Sequence, residues 1–143
     1  MISQAVLGLG GVGKSELALQ YAHRHRQDYE LVWWIDADSP DLIRTGLADL
    51  AGRWRGIDSV AAEQATVEEA AAWAVSWLAA HPDWLIIFDN VEEVADVEPY
   101  LARLTHGHVL ITTRRDIGWQ HLDITPSGWS CCPARPRPPC WPA

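Results

Sequence analysis

The feature that most constrains this chain is a glycine-rich segment at residues 8–15, which is placed between an apolar run at residues 5–7 and a helical pattern at residues 17–22. The segment fits the pattern G-x-x-x-x-G-K-[ST] in the strand-loop-helix context that the pattern requires. Glycines let such a loop curl so that successive backbone N–H groups point inward at a helix start, where anions bind. The segment predicts a phosphate-binding loop with contacts from Gly8, Gly10, Gly11, Val12, Gly13, Lys14, Ser15 and Glu16.

Two side chains at the end of this segment carry its predicted chemistry. Lys14 is the only lysine of the chain, and a lysine at this position reaches the β- and γ-phosphates of a nucleotide. The hydroxyl of Ser15 is placed to bind Mg²⁺. The alternative interpretation is a glycine-rich turn that carries an ordinary surface lysine.

The charge distribution limits the classes of partner. The 143 residues include 19 acidic and 11 basic side chains, for a net charge of −8, and the only charged residues after position 125 are Arg135 and Arg137. An acidic body argues against a broad contact with nucleic-acid phosphates. No stretch approaches about 18 apolar residues, and the first residues lack the features of a secretory signal. We therefore expect one cytoplasmic domain with no nucleic-acid or membrane partner.

Apolar runs alternate with helical patterns along the chain. The runs at residues 31–35, 84–88 and 109–111 are short and unalternating, as in strands that are covered on both faces of a parallel sheet. Apolar residues at three- and four-residue steps predict helices over residues 43–54 and 70–78, and Thr66 with Glu69 forms a capping-box pattern before the second. The alternation predicts a doubly wound, mainly parallel α/β sheet of five strands, with residues 121–125 as the last strand, helices on both faces and ligands at the carboxyl ends of the strands.

Residues 126–143 differ in composition from the rest. They hold six of the nine prolines and all three cysteines, Cys131, Cys132 and Cys140. Prolines at this density exclude regular strands and helices, and the cysteine spacing lacks the C-x₂-C clamp of a zinc site. We expect a folded core over residues 1–125 and a disordered Pro/Cys-rich tail over residues 126–143, which a change of reading frame would explain.

A carboxylate follows the buried run at residues 84–88. Asp89 stands at the carboxyl end of a strand, where a nucleotide site places the group that holds Mg²⁺. The alternative role for Asp89 is to cap a helix that begins near Glu92, with Glu92 and Glu93 in its first turn. Asn90 cannot take a proton from an attacking water as a second carboxylate would, so we do not expect fast hydrolysis.

A further strand end carries two hydroxyls and two guanidinium groups. Thr112, Thr113, Arg114 and Arg115 follow the run at residues 109–111. A guanidinium fork matches phosphate geometry, so Arg114 is a candidate sensor of a γ-phosphate. The alternative is a solvated arginine pair at the end of a strand.

Four segments together resemble the NB-ARC family of signalling ATPases. They are GLGGVGKSELA at residues 8–18, VWWIDA at 32–37, LIIFDN at 85–90 and LITTR at 110–114. The order and spacing of the segments also match, over roughly residues 4–125, and the similarity is to bacterial members with C-terminal repeats. The resemblance implies a P-loop NTPase fold and a nucleotide switch, in which ADP holds a closed monomer and ATP opens a form that assembles. It makes Lys14 the phosphate lysine, Ser15 and Asp89 the Mg²⁺ ligands, and Asp89 and Arg114 the catalytic residues.

The sequence departs from the family in two segments. It contains neither the upstream segment that recognises adenine nor the helical and winged-helix subdomains that close over ADP, so we expect a truncated nucleotide-binding core. This core is expected to bind ADP or ATP with Mg²⁺ and to be at most a slow ATPase, with protein partners or a homo-oligomer only in a full-length relative. One alternative is a non-enzymatic interaction fragment with an unused loop. Another is a small-molecule P-loop kinase, which the lack of an arginine-rich lid or acceptor-binding insertion between Asp36 and Trp84 disfavours.

Overall fold

A computed structural model describes residues 2–7, 13–54, 65–115 and 125–128, and the side chains within 13–54 and 65–115. Strands and helices alternate along these residues, and the predicted α/β class is confirmed. No helix among them is long and apolar enough to cross a membrane. In chain order the elements are β1 (Ile2–Leu7), α1 (Lys14–Arg24), a 3-10 turn (Arg26–Asp28), β2 (Leu31–Asp36), α2 (Pro40–Arg53), α3 (Val67–Ala80), β3 (Trp84–Val91), α4 (Val94–Leu101), β4 (His108–Thr113) and β5 (Thr125–Gly128).

The described strands form a parallel sheet in the order β2-β3-β4-β1-β5. Strand β4 pairs with β3 on one side and with β1 on the other, and all pairings are parallel. The carboxyl ends of β1, β3 and β4 therefore meet at one edge of the sheet. The next described residues after β1 are Gly13 and the start of α1, and Ser15 in the first turn of α1 contacts Asp89 near the end of β3.

Helices cover both faces of the central strands. Along β3, Trp84, Ile86 and Phe88 pack into a core cluster with α2, α3 and α4. The alternate residues Leu85 and Ile87 pack against α1 on the other face. Successive side chains of a strand point to opposite faces, so a run that is apolar at every position is what a strand between two helical layers requires.

The two long helices on the same face begin with sequence signals that satisfy their first N–H groups. The Ser39 hydroxyl accepts a hydrogen bond from the Leu42 N–H at the start of α2, and Pro40 occupies the first turn. At the start of α3, Thr66 and Glu69 form both bonds of a capping box. The predicted capping box is confirmed, and it explains why α3 starts where it does.

The last strand continues beyond residue 125, where the sequence predicts that it ends. Strand β5 is Thr125–Gly128, whereas residues 121–124 of the predicted strand lie outside the described residues. The prediction that no strand enters the proline-rich segment is wrong for residues 126–128, because Pro126 lies in β5 opposite Ala5. Strand β5 stands at the end of the sheet order, and an edge strand accommodates proline because it needs ladder bonds on one side only. Residues 129–143 lie outside the described residues.

Candidate functional site

Gly13 turns the chain into helix α1. Its backbone has a φ of 74° and a ψ of 21°, a left-handed conformation that glycine adopts without strain. The Gly13 carbonyl accepts the first helical bond, from the Leu17 N–H at 2.9 Å, and no side chain caps this helix. An uncapped helix start is where N–H groups and the helix dipole favour an anion. The other loop positions predicted to bind phosphate lie outside the described residues; these are Gly8, Gly10, Gly11 and Val12.

Lys14 is buried at the first position of α1, with 8% of its surface exposed. Burial lowers the pKa of its ammonium group, the nearby positive charge of Arg114 lowers that pKa further, and the negative charge of Asp89 opposes both effects. The positive charges of Lys14 and Arg114 therefore repel each other beside the Asp89 carboxylate, while Arg114 is also paired with Glu92. A bound anion relieves this repulsion, because an opposite charge within a few ångströms favours the charged form of a lysine.

Ser15 and Asp89 meet across 74 positions of sequence. The Ser15 hydroxyl donates a hydrogen bond to Oδ1 of Asp89 at 2.7 Å. The hydroxyl of Thr112, on β4, donates to the same oxygen. The alternative role of Asp89 as a helix cap is wrong, because α4 begins at Val94 with Glu93 at its N-cap position and no side-chain cap.

A β-bulge separates Asp89 from the end of its strand. The register of β3 on β4 shifts between Phe88 and Val91, and Asn90 has a φ of 62°, a conformation that asparagine tolerates better than most residues. The Asn90 N–H donates to the Thr112 hydroxyl at 2.8 Å, and the Asn90 side-chain amide donates to Asp38 at 2.9 Å. Bulges of this kind redirect side chains near functional sites, and this one directs the Asp89 carboxylate towards the start of α1.

Two acidic residues hold the arginines that follow β4. Nη2 of Arg114 lies 2.5 Å from Oε1 of Glu92, and Nη1 of Arg115 lies 2.9 Å from Oε1 of Glu93. The prediction that Glu92 and Glu93 occupy the first turn of a helix is wrong, because both precede α4, with Glu93 at its N-cap. The sequence contained no signal for these pairs, which depend on the chain positions after β3 and β4 coming together.

Glu16 lies apart from this group of side chains. It is exposed in the first turn of α1, and its carboxylate accepts a hydrogen bond from Gln20 at 3.0 Å. An acidic residue in the first turn is favoured by the helix dipole. The structure thus gives Glu16 a helical partner, whereas it brings Lys14, Ser15, Asp89 and Arg114 into one electrostatic neighbourhood.

The oxygen donors of the site suit one kind of metal ion. In the part of the chain that the structure describes, no three His, Cys, Asp or Glu side chains cluster as a metal site. The Ser15 hydroxyl and the Asp89 carboxylate are hard donors, already within hydrogen-bond distance of each other. Mg²⁺ is commonly bound by one or two protein oxygens, with water and substrate phosphates completing its shell. The donor set fits Mg²⁺ held jointly with a phosphate ligand.

Comparison with protein-family models gives no match for this chain, and no curated protein is significantly similar to it in sequence. The resemblance to the NB-ARC family therefore remains an expectation from its four segments.

Proposed function

We propose that this chain is the nucleotide-binding core of an NB-ARC-like P-loop NTPase and binds ADP or ATP with Mg²⁺. The observation that carries the proposal is the 2.7 Å contact between the Ser15 hydroxyl and the Asp89 carboxylate, beside the buried charge of Lys14. A hydroxyl in the first turn of the helix after the loop, a carboxylate near the end of another strand of the sheet and a lysine are the three groups that P-loop proteins use on a nucleotide's phosphates.

Each side chain has a separate task in this proposal. Lys14 places a positive charge against the β- and γ-phosphates, and the first turn of α1 offers its backbone N–H groups to the same oxygens. Ser15 and Asp89 would hold Mg²⁺, which neutralises phosphate charge when bound. Arg114 contacts the γ-phosphate, so its contact distinguishes ATP from ADP.

Hydrolysis in this account is slow or absent. The residue after Asp89 is Asn90, whose amide donates to Asp38 and cannot act as a general base. The nearest carboxylate beyond it along the chain, Glu92, is paired with Arg114. The proposed function is thus the binding of nucleotide and the response to its exchange, with turnover as a minor activity.

The exchange of ADP for ATP is the proposed signal. A ligand shifts a conformational equilibrium only by its differential affinity for the two states. The proposed source of that difference is Arg114, because only ATP carries the phosphate that it contacts.

The experiment that tests the proposal measures the effect of Mg²⁺ on nucleotide affinity in the wild type and in Asp89→Asn. The amide keeps the size of the side chain and an acceptor for Ser15 but removes the charge. We expect the wild type to bind ATP more tightly with Mg²⁺ than in EDTA, and Asp89→Asn to lose most of this gain, with ADP binding in EDTA little changed. Asp49→Asn, an exposed change on α2, is the matched control.

Two results would reject the proposal. The first is a wild type that binds neither ADP nor ATP, which is the behaviour of an interaction fragment with an unused loop. The second is a full Mg²⁺ effect in Asp89→Asn, which would remove Asp89 from the metal site.

A further inference from the structure

Thr112 carries a buried hydroxyl with two hydrogen bonds that converge on the candidate site. Only 1% of the surface of Thr112 is exposed. Its Oγ1 donates to Oδ1 of Asp89 at 2.5 Å and accepts from the N–H of Asn90 at 2.8 Å. One hydroxyl thus connects the side chain of a proposed metal ligand to the backbone of the residue after it.

The bulge in β3 creates the need for this hydroxyl. Ladder pairing joins Phe88 to Ile111 and resumes at Val91 with Thr113. The Asn90 N–H therefore leaves the regular ladder, and the Thr112 side chain replaces the carbonyl that it would otherwise meet. A buried N–H without an acceptor is destabilising, so the conformation that directs Asp89 towards Ser15 depends on Thr112.

Thr112 and Ser15 donate to the same oxygen of Asp89. A serine hydroxyl has a single hydrogen to donate and two oxygen lone pairs, one of which can bind a cation. The bond from Thr112 comes from a side chain buried within the sheet, so it holds Oδ1 of Asp89 whichever acceptor the Ser15 hydroxyl uses. Donors of this kind orient metal-binding carboxylates, and their loss weakens metal affinity.

We infer that Thr112 is a positioning residue that orients the Asp89 carboxylate for Mg²⁺ and thereby sets how strongly Mg²⁺ enhances nucleotide binding. The inference rests on the proposed function. It assigns to Thr112 no contact with nucleotide; the residue acts through Asp89 and through the bulge at Asn90.

The neighbouring threonine provides a matched control within the same strand. Thr113 is equally buried, but its hydroxyl donates to the Val91 carbonyl at 2.7 Å and accepts from the Arg115 N–H at 3.0 Å. Its bonds are with the backbone, and none of them is with Asp89. Thr113→Val therefore removes a similarly buried hydroxyl from β4 without removing a hydrogen bond from the Asp89 carboxylate.

The test compares Thr112→Val, Thr112→Ser and Thr113→Val by titration of labelled ADP in EDTA and over a range of Mg²⁺ concentrations. We expect Thr112→Val to weaken the apparent Mg²⁺ affinity of the complex by roughly tenfold or more, while ADP affinity in EDTA changes by less than about twofold, within the scatter of mutations that leave a contact intact. Thr112→Ser keeps the hydroxyl and should restore the Mg²⁺ effect, and Thr113→Val should keep it.

Three results would overturn the inference. They are a normal Mg²⁺ effect in Thr112→Val, an equal loss of affinity with and without Mg²⁺, and a loss of the Mg²⁺ effect in Thr113→Val as large as that in Thr112→Val. If Thr112→Val does not fold by circular dichroism, Thr112→Cys, whose thiol is a weaker donor, replaces it under the same criteria. If the wild type does not bind ADP, the proposed function itself is rejected. If Mg²⁺ enhances nucleotide binding equally in the wild type and in Thr112→Val, only the role of Thr112 is rejected.

Discussion

The guanidinium group of Arg114 lies against the carboxylate of Glu92, with Nη2 2.5 Å from Oε1. The positive charge of Arg114 also lowers the pKa of Lys14, so Arg114 interacts with both Glu92 and Lys14. About half of the Arg114 side chain is exposed, at 54%, and exposed pairs typically stabilise by about 1 kcal/mol or less. A γ-phosphate, which carries more charge than a carboxylate, can therefore displace Glu92 from Arg114.

This competition predicts the effect of removing the charge of Glu92. Glu92→Gln should increase ATP affinity by about two- to fivefold, the equivalent of an exposed ion pair, and should leave ADP affinity nearly unchanged. Dissociation constants for both nucleotides provide the measurement. Glu93→Gln is the control, since Glu93 pairs with Arg115. Equal changes for ADP and ATP would show that Glu92 does not compete with a γ-phosphate.

The single lysine makes the electrostatics of the site measurable. Methylation with a ¹³C label gives one lysine signal besides that of the amino terminus, and its titration in the nucleotide-free, metal-free protein reports the pKa of Lys14. We expect a pKa below the usual 10.5, because of burial and the charge of Arg114. Arg114→Gln should raise it, because a positive neighbour is removed. Arg103→Gln, which alters an exposed arginine bonded to Ser76, should leave it unchanged; a Lys14 pKa that does not respond to Arg114→Gln would contradict the described arrangement.

His108, at the amino end of β4, predicts a pH dependence of the free energy of unfolding. The Tyr29 hydroxyl hydrogen-bonds to Nδ1 of His108 at 2.6 Å, and burial lowers the pKa of His108 below 6.5. In that range the unfolded chain binds more protons than the folded one, so the free energy of unfolding falls as the pH falls through the window below 6.5. Urea unfolding between about pH 7.5 and pH 5.5 should show this loss. His108→Gln should reduce this loss of stability, whereas the exposed change His106→Gln should not. If His108→Gln has the same pH profile as the wild type, His108 is not the source of the loss.

Two glycines should respond in opposite directions to alanine. A Cβ at Gly107 would lie 2.1 Å from the ring of Trp84, which is fully buried, so Gly107→Ala should destabilise the protein by about 1–3 kcal/mol or more. Gly52 lies in α2 with nothing within 4 Å of an added Cβ, so Gly52→Ala should stabilise it by about 0.5–1 kcal/mol. Chemical denaturation measures both changes. A tolerated Gly107→Ala would mean that Trp84 does not pack as described.

Much of the central sheet could be predicted from the sequence because its signals are local. The apolar runs at residues 31–35, 84–88 and 109–111 all lie within observed strands, since a strand between two helical layers must be apolar at every position. The capping box at Thr66 is likewise complete within four residues. The continuation of β5 through residues 126–128 could not be predicted, because it depends on pairing with β1 and on the position of β5 at the sheet edge, which these residues do not encode by themselves.

Part of the candidate site could likewise be predicted from the sequence, and part of it could not. The predicted neighbours Ser15 and Asp89 do meet, because parallel strands bring their carboxyl ends to one edge of the sheet. The bulge at Asn90 could not be predicted, since a register shift has no fixed sequence signal. The contacts of Thr112 with Asp89 and of Glu92 with Arg114 both follow the geometry of that bulge, and they were therefore missed.

Nucleotide binding through Lys14 can be tested by calorimetric titration of ADP into the wild type and into Lys14→Ala. Arg24→Ala, an exposed change in the last turn of α1, is the control. We expect the wild type and Arg24→Ala to bind ADP with similar affinity. Lys14→Ala should bind ADP more weakly by roughly 2–4 kcal/mol, as for other charge-assisted contacts in a partly desolvated site. Equal ADP affinity in Lys14→Ala and the wild type, or no binding by either, would contradict the proposed nucleotide site.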